Sequence, residues 1–247
     1  MAPSGDPSEA LELAARFPGV VTLERRARTL REIVLELGDA PLLVLARDRA
    51  DLYLRGRVFR ASAGMAFLRV VRAEKGEIDP LVEIARLAPG DRVLDATLGL
   101  GGDALVAAQA TRCEVVGLEK SALLCAFTQA GLRRLPGHGA APGRAVTVLH
   151  GDHREAFAAM APQSFDVVLL DPMFRETAES SPLFDVVRAQ AEHAPLDAET
   201  LLAARRVARR GVLVKDAAPG RELGRLGIVP RLSRRSAAIA FGWVDAG

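Results

Sequence analysis

Four acidic residues end, or closely follow, apolar runs of the sequence. Asp95, Glu119 and Asp171 stand at the ends of such runs, and Asp152 lies just past another. Parallel strands deliver their carboxyl ends to one edge of an open sheet, where ligands bind, so we expect the four carboxylates to share one rim. One such acid alone is more typical of a helix cap or a solvated loop, whereas four together indicate a binding crevice.

A glycine-rich turn follows the first of these runs. Gly99, Gly101 and Gly102 stand between Asp95 and a helical pattern that includes Asp103. Glycines at a strand-to-helix turn let the backbone approach a ligand closely, and the helix N-terminus offers unpaired N–H groups. The third glycine of a dinucleotide fingerprint is missing at its usual spacing. The pattern is therefore compatible with a ligand-free tight turn as well as with a nucleotide-binding loop.

The acidic crevice favours a cationic ligand. Residues 79–200 hold 10 basic and 17 acidic residues, a balance of −7, whereas a pyrophosphate would prefer basic side chains. S-adenosylmethionine carries a sulfonium and an ammonium group against one carboxylate. Its ribose also presents two hydroxyls that a carboxylate such as Glu119, 24 positions after Asp95, can accept. The pattern thus predicts S-adenosylmethionine as the cofactor.

The segment Asp171-Pro172-Met173-Phe174 has the residue types of an amine-recognition loop. A carboxylate and main-chain carbonyls accept hydrogen bonds from an NH₂ group, and proline fixes the turn without adding an N–H. Phe174 is suited to lie flat on a base, as aromatic side chains do in single-stranded RNA recognition. Accepting the amine protons leaves the amine lone pair directed at a methyl group. We therefore predict that Asp171, Pro172 and Phe174 are catalytic and that Phe174 also binds the substrate.

From residue 89 onward, apolar runs alternate with helical patterns, as a parallel α/β sheet requires. The predicted strands are 92–97, 114–119, 145–150, 165–171 and 211–215, and the predicted helices are 102–111, 121–135, 153–161 and 196–210. A last pair of strands, 227–232 and 237–244, is expected to form an antiparallel hairpin. The expected fold class is α/β, a Rossmann-like and mostly parallel sheet with a C-terminal antiparallel hairpin.

The first 78 residues have a different pattern, with shorter apolar runs. Strands are predicted at 20–23, 42–46, 51–54 and 57–60, and helices near 26–37 and 64–73. The polar stretch 74–80 contains glycine and proline and predicts a boundary. We therefore expect a small α/β N-terminal domain over residues 1–78 and a Rossmann-like domain over residues 79–247.

The overall composition limits the partners of the chain. Its 247 residues include 33 Lys+Arg and 31 Asp+Glu, a net charge of +2, which excludes a polybasic nucleic-acid binder. No stretch approaches the roughly 18 apolar residues of a membrane span, so we expect a cytoplasmic protein without a membrane partner. The two cysteines and four histidines lack the spacing of metal ligands, so we expect no metal.

The order of these motifs resembles a known family. D-A-T-x-G-L-G-x-D-A, an acid-ended strand, D-P-M-F and V-x-V-K are similar to the bacterial small-subunit ribosomal RNA guanine-N2 methyltransferases and their uncharacterised relatives, over roughly residues 62–216. These are class I enzymes that use S-adenosylmethionine. The resemblance implies cofactor contacts at Gly102, Asp103, Glu119, Lys120, Asp152, His153 and Asp171, and a functional lysine at Lys215. The glycine turn adds Asp95, Gly99 and Gly101 to the predicted cofactor-binding residues.

The predicted function is S-adenosylmethionine-dependent N-methylation of an exocyclic base amine, which the resemblance narrows to guanine N2 of ribosomal RNA. Catalysis is expected to be an in-line displacement dominated by positioning. Lys215, Arg234 and Arg235 are the predicted substrate contacts. Further basic candidates for RNA are Arg69, Arg72, Lys75, Arg205, Arg206, Arg209, Arg210 and Arg231, five of them in the last 47 residues, which hold 10 basic and 3 acidic residues.

Three other functions stay open on the sequence. A methyltransferase for a small-molecule or protein amine would keep every donor-site residue and differ at Phe174 and in the basic surface. A non-catalytic module that binds S-adenosylmethionine or RNA would show donor binding without transfer. A nicotinamide-dependent oxidoreductase would share Glu119, but it would leave the D-P-M-F segment unexplained.

Overall fold

The N-terminal part of the chain combines helices with a small antiparallel sheet. The computed structural model describes residues 7–62, 64–135, 145–172, 195–232 and 238–247. Helices α1 (Pro7–Arg16) and α2 (Leu30–Leu37) precede a three-stranded sheet, which helix α3 (Gly64–Glu74) follows. The strands of that sheet are β1 (Leu42–Leu45), β2 (Ala50–Leu54) and β3 (Arg57–Arg60), in the order β1-β2-β3.

A seven-stranded sheet forms the centre of the molecule, in the order β6-β5-β4-β7-β8-β10-β9. Its strands are β4 (Val93–Asp95), β5 (Val115–Glu119), β6 (Val146–His150), β7 (Phe165–Leu170), β8 (Ala208–Ala217), β9 (Arg231–Leu232) and β10 (Ile239–Asp245). Strands β4 to β8 are parallel, and β10 pairs antiparallel with both β8 and β9. The predicted α/β class, with its mostly parallel sheet and C-terminal antiparallel hairpin, is confirmed.

Helices cover both faces of this sheet and give it two apolar layers. They are α4 (Pro80–Ala85), α5 (Gly102–Thr111), α6 (Ala122–Leu132), α7 (His153–Ala159), α8 (Ala198–Val207) and α9 (Arg221–Arg225). One core cluster contains Leu105 of α5 and Ala126 of α6, and the other contains Phe157 of α7 and Leu201 of α8. Strands enclosed on both faces explain the near-continuous apolar runs of the sequence.

The N-terminal helices share a core with the large sheet. One buried cluster contains Leu13 of α1, Phe17 just after α1 and Val70 of α3. The same cluster contains Leu105 of α5 and Val115 of β5. Helix α3 therefore lies against α5, close to the edge of the sheet where the acidic residues gather. The division of the chain at residue 78 stays a prediction.

Several element boundaries differ from the predicted ones. Residues 20–23 form no strand, because this extended segment pairs with no neighbouring strand among the described residues. Helix α2 begins at Leu30, since Thr29 forms a capping box with Glu32 there. Helix α4 was not predicted, although Asp79 at its N-cap and Pro80 in its first turn are ordinary signals of a helix start.

The helix predicted over 196–210 is also too long. Helix α8 ends at Val207, and Ala208 already has the extended backbone of β8. Arg209 and Arg210 therefore lie on a strand and not on a helix face. The last hairpin has a shorter first strand than predicted, because β9 contains only Arg231 and Leu232.

Strand β6 is an edge strand of the large sheet, and a helix from the N-terminal part contacts it. The Arg16 guanidinium donates to the main-chain oxygen of Val148 at 2.8 Å and to the side chain of Gln129 at 3.1 Å. A carbonyl that has no strand partner on that side is thus satisfied by α1.

Among the described helices, none is long and apolar enough to cross a membrane.

Candidate functional site

The glycine turn between β4 and α5 leaves an open face beside the backbone. Gly99 and Gly101 have positive φ angles of 51° and 75°, a conformation that side chains other than glycine rarely adopt. A Cβ atom added to Gly99 would meet only the Thr97 oxygen, at 4.0 Å. The Thr128 hydroxyl donates to the Gly99 oxygen at 2.7 Å and holds the turn from α6. The turn is therefore rigidly supported on one side and has room for a ligand on the other.

Glu119, at the end of β5, is tied to this turn through both carboxylate oxygens. One oxygen accepts the Gly99 N–H at 3.1 Å, and the other accepts the Ser121 N–H at 2.8 Å. Burial raises the pKa of Glu119, and these backbone N–H groups act in the opposite direction. The carboxylate is therefore fixed beside the backbone of the turn, where the sequence predicts the ribose.

Lys120, Asp152 and His153 lie together at the ends of β5 and β6. Lys120 Nζ is 3.0 Å from Asp152 Oδ2, and His153 Nδ1 is 4.0 Å from Asp152 Oδ1. Asp152 is also the N-cap of α7 and accepts the Arg154 N–H at 2.9 Å. Burial alone would raise the pKa of Asp152, but the Arg154 N–H and Lys120 outweigh burial and lower this pKa, so Asp152 stays ionised.

Within the described ranges, no cluster of three metal-ligating side chains is present.

A chain of five alternating charges connects α3 with the end of β7. Arg69 donates to both oxygens of Asp79, at 2.7 and 2.9 Å, and to Asp103 Oδ1 at 2.7 Å. Lys215 Nζ, on β8, is 2.6 Å from Asp103 Oδ2 and 2.5 Å from Asp171 Oδ2. Burial acts to raise the pKa of Asp103, but Lys215 and Arg69 lower it to about 2. Asp103 is therefore a carboxylate that joins two cations.

This network corrects the role predicted for Arg69 and adds a contact for Lys215. Arg69 is not an exposed phosphate ligand: its side chain is 24% exposed and is engaged by Asp79 and Asp103. Lys215 is 12% exposed and faces the same carboxylates as the predicted donor site. No spacing in the sequence predicts these pairs, because their members are 10 to 112 positions apart.

Asp171 stands at the mouth of the site with its backbone held in place. Its N–H donates to the Thr97 hydroxyl at 2.6 Å, which links the ends of the neighbouring strands β7 and β4. The chain adds β5 and β6 on one side of β4 and β7 and β8 on the other, and ligands of open α/β sheets bind at such a switch point. The Asp171 side chain is 42% exposed. Thr97 was missed as a site residue, although its position in D-A-T between strand and turn was a usable signal.

Asp95 is enclosed beneath this rim and differs from the other acids. It is only 3% exposed, and one oxygen accepts the Thr97 N–H at 3.2 Å. Burial first, and then the negative charge of Asp103, raise the pKa of Asp95 from an ordinary 3.8 to about 8. Asp95 is therefore neutral at pH 7, and its place below the turn suits a supporting group.

The stability of the protein should reflect this proton. Between about pH 4 and pH 8 the folded chain holds the Asp95 proton and the unfolded chain does not, so this group lowers the free energy of unfolding as the pH rises. Asp95→Asn keeps a neutral acceptor for Thr97 and removes the titration. We expect the stability of the variant relative to wild type to grow by up to about 1.4 kcal/mol per pH unit over that range. Urea unfolding at about pH 5, 7 and 9 measures this difference. A difference that stays constant with pH would contradict it.

The basic residues of the C-terminal part lie elsewhere. Arg209 pairs with Asp166 at 2.9 Å, and Arg210 pairs with Asp91 at 2.5 Å. These residues lie at the amino ends of the strands, opposite the carboxyl edge that carries Asp171. Arg205 and Arg206, in the last turn of α8, lie at the same amino edge. The structure therefore does not place these four arginines beside the site, as RNA contacts there would require.

Three predicted site residues lie outside the described residues. They are Phe174 and the two arginines that the sequence predicts at a hairpin tip, Arg234 and Arg235. Pro172 directly follows Asp171, and Arg231 is exposed on β9. The structure thus brings together twelve of the residues predicted for the site at one edge of the sheet. They are Asp95, Gly99, Gly101, Gly102, Asp103, Glu119, Lys120, Asp152, His153, Asp171, Pro172 and Lys215.

The sheet order, the open glycine turn and the rim of carboxylates define a class I, Rossmann-like methyltransferase that uses S-adenosylmethionine. Carboxylates accept hydrogen bonds and attract cations, so this acid-rich site matches a cofactor that carries positive charge and a ribose. The chain belongs to the family described as "Putative SAM-dependent methyltransferase", whose model matches residues 58–226.

Individual relatives agree with this family. The chain is 36% identical over 196 residues to the uncharacterized protein YpiP of Bacillus subtilis, covering 75% of this chain and 74% of that protein. It is 32% identical over 224 residues to the ribosomal RNA small subunit methyltransferase J of Yersinia enterocolitica, covering 85% and 82%. The crystal structure of the SAM-dependent methyltransferase NGO1261 from Neisseria gonorrhoeae shares the fold, with a TM-score of 0.65 at 20% identity, over 100% of this chain and 94% of that one.

Proposed function

We propose that this methyltransferase modifies an exocyclic amine of a base in ribosomal RNA, and that the target atom is guanine N2. The observation that carries the proposal is Asp171 with Pro172 at the mouth of the donor site, where a partly exposed carboxylate lies beside the glycine turn. The relative in Yersinia enterocolitica, which carries the name of a ribosomal RNA methyltransferase, supports RNA as the substrate.

The residues around the turn suggest a division of roles toward the cofactor. We assign Glu119 to the ribose hydroxyls, Asp152 and Lys120 to the adenine side, and the Asp103 region to the methionine portion. Gly99, where an added Cβ atom would meet only the Thr97 oxygen, keeps the backbone open at the centre of this arc. The cofactor supplies the methyl group from its sulfonium, which leaves as a neutral thioether.

The chain itself has to orient the amine and keep the acceptors ready. Burial raises the pKa of Asp171, and Lys215, 2.5 Å away, acts in the opposite direction, so this ion pair supports the carboxylate form that accepts hydrogen bonds from the amine. The carbonyl of Pro172 is a second acceptor, and the Thr97 hydroxyl fixes the Asp171 backbone. Held by these acceptors, the amine would direct its lone pair at the methyl group that the cofactor supplies, and its surplus proton would leave to solvent. Phe174 keeps its predicted role as a stacking platform.

Mapping of methylated nucleosides tests this proposal. Ribosomal RNA from cells with and without the gene is digested and analysed by mass spectrometry, and one N2-methylguanosine position should disappear in the deletion strain. Purified protein with labelled S-adenosylmethionine should restore that methyl group on deletion-strain small subunits or on naked RNA. Unchanged RNA together with methylation of a metabolite or protein amine would replace this proposal with the small-molecule or protein alternative.

A further inference from the structure

The three-stranded N-terminal sheet carries a strong positive charge that the cofactor site does not use. Between residues 47 and 60 the chain has five arginines and two aspartates. The five arginines are all exposed, whereas one of the two acids, Asp51, is 4% exposed. The surface of this sheet is therefore far more basic than the chain as a whole. The arginines are Arg47, Arg49, Arg55, Arg57 and Arg60.

Asp51 organises two of these arginines into a pair. Arg49 Nε donates to one carboxylate oxygen at 3.0 Å, and Arg60 Nε donates to the other at 2.9 Å. Both side chains stay exposed, at 45% and 64%. Within the described ranges their terminal Nη groups make no hydrogen bond. A single buried carboxylate thus fixes two guanidinium groups side by side and leaves the ends that bind phosphate oxygens in solvent.

The turns of this sheet add two further charges. Arg47 lies in the turn between β1 and β2, and Arg55 lies with Gly56 in the turn between β2 and β3. Arg55 has a φ of 48°, a conformation that asparagine and glycine adopt more readily than arginine. Both side chains are exposed, so the basic surface reaches from the Arg49–Arg60 pair to both turns.

The position of the sheet connects this surface with the methyl-transfer site. Leu52 and Phe59, on its inner side, pack with Phe127 of α6 and with Leu100, which lies between Gly99 and Gly101. Arg134, just after α6, donates to the Ala46 oxygen at 2.7 Å. The sheet is therefore fixed to the helix that follows Glu119, one side-chain layer from the glycine turn. One apolar cluster thus joins the sheet that carries the arginines to the turn at the proposed cofactor site.

We propose that the exposed arginines of the β1-β2-β3 sheet bind the phosphate backbone of the substrate RNA. This inference rests on the proposed function, since it supplies the RNA contacts that the acidic cofactor crevice lacks. The contacts are sequence-independent and position the RNA, while base recognition belongs to the Asp171 loop. Arg49 and Arg60 are the centre of this surface.

Salt-dependent binding of the double variant Arg49→Gln/Arg60→Gln tests the proposal. Loss of two phosphate contacts should lower the slope of log K against log salt by about 1.4 and weaken binding to small-subunit ribosomal RNA about tenfold. Affinity for S-adenosylmethionine, measured by calorimetry, should not change. The matched control is Arg205→Gln/Arg209→Gln, which removes the same charge at the amino edge of the large sheet and should keep the wild-type slope.

The outcomes separate this inference from the proposed function. If wild type binds and methylates the RNA but the Arg49/Arg60 variant keeps its slope and affinity, the surface is wrong and the function stands. If wild type neither binds nor methylates ribosomal RNA, both proposals fail. If the double variant does not fold, Arg47→Gln/Arg55→Gln, at the two turns, carries the same expectation. If wild type binds vesicles that contain anionic lipid, and the Arg49/Arg60 variant loses that binding but keeps its binding to RNA, the surface binds a membrane instead.

Discussion

Asp171→Asn is expected to reduce kcat by at least about 100-fold while the protein keeps its fold. The substitution removes the charge that accepts the amine protons, and loss of correct orientation alone costs about that factor. The fold should survive, because the Asp171 backbone is held by Thr97 and Lys215 keeps its contact with Asp103. Single-turnover methyl transfer and a thermal unfolding curve are the two measurements.

A matched control is available at the other end of β7. Asp166→Asn makes the same change near the opposite end of β7, where the side chain pairs with Arg209 and accepts the Arg92 N–H. This variant should transfer methyl groups at nearly the wild-type rate. Comparable losses in both variants would indicate that the effect comes from the strand and not from the site, and an active Asp171→Asn enzyme would remove Asp171 from the mechanism.

Arg69→Met should produce the largest loss of stability among substitutions near the site. It leaves the buried carboxylates of Asp79 and Asp103 without their shared cation, and breaking such a buried pair typically costs about 3 to 5 kcal/mol. Lys215 still neutralises Asp103, so we expect a value near the lower end, about 3 kcal/mol. Urea unfolding monitored by circular dichroism gives the free energy directly.

Two further variants show whether charge is the cause. Arg72→Met changes an exposed residue of the same helix and should alter stability by no more than about 0.5 kcal/mol. Asp79→Asn combined with Arg69→Met removes one of the unpaired charges and should recover part of the loss. If the double variant is no more stable than Arg69→Met alone, the loss comes from packing of the long side chain.

Much of the large sheet could be predicted because each strand has its own apolar run in the sequence. Buried parallel strands need continuous apolar runs, and their ends are marked by acids such as Glu119. The errors arose where local preference was not decisive. Arginine favours helices, so the pattern of α8 predicts a helix through Arg209 and Arg210, although these residues lie on β8 between Ala208 and Gly211, which pair with β7. Residues 20–23 have strand-forming side chains, but a strand also needs a partner.

The candidate site could be predicted only as far as the order of the sheet brings strand ends together. Glu119, Asp152 and Asp171 follow from that topology. The pairing of Arg69 with Asp103 depends on how α3 packs against α5, and packing between elements distant in sequence leaves no pattern in either one. The same reason explains why Asp95, equally acidic in sequence, is the member of the rim that is neutral.

The contact of Arg16 with β6 bears on how the protein behaves at high concentration. An exposed sheet edge offers main-chain groups to which a strand of another molecule can add, and such addition leads to aggregation. On β6 the Val148 carbonyl is already engaged by α1. The N-terminal helix therefore occupies part of the edge that a strand of another molecule would need, and an added strand would have to displace Arg16 from the Val148 carbonyl.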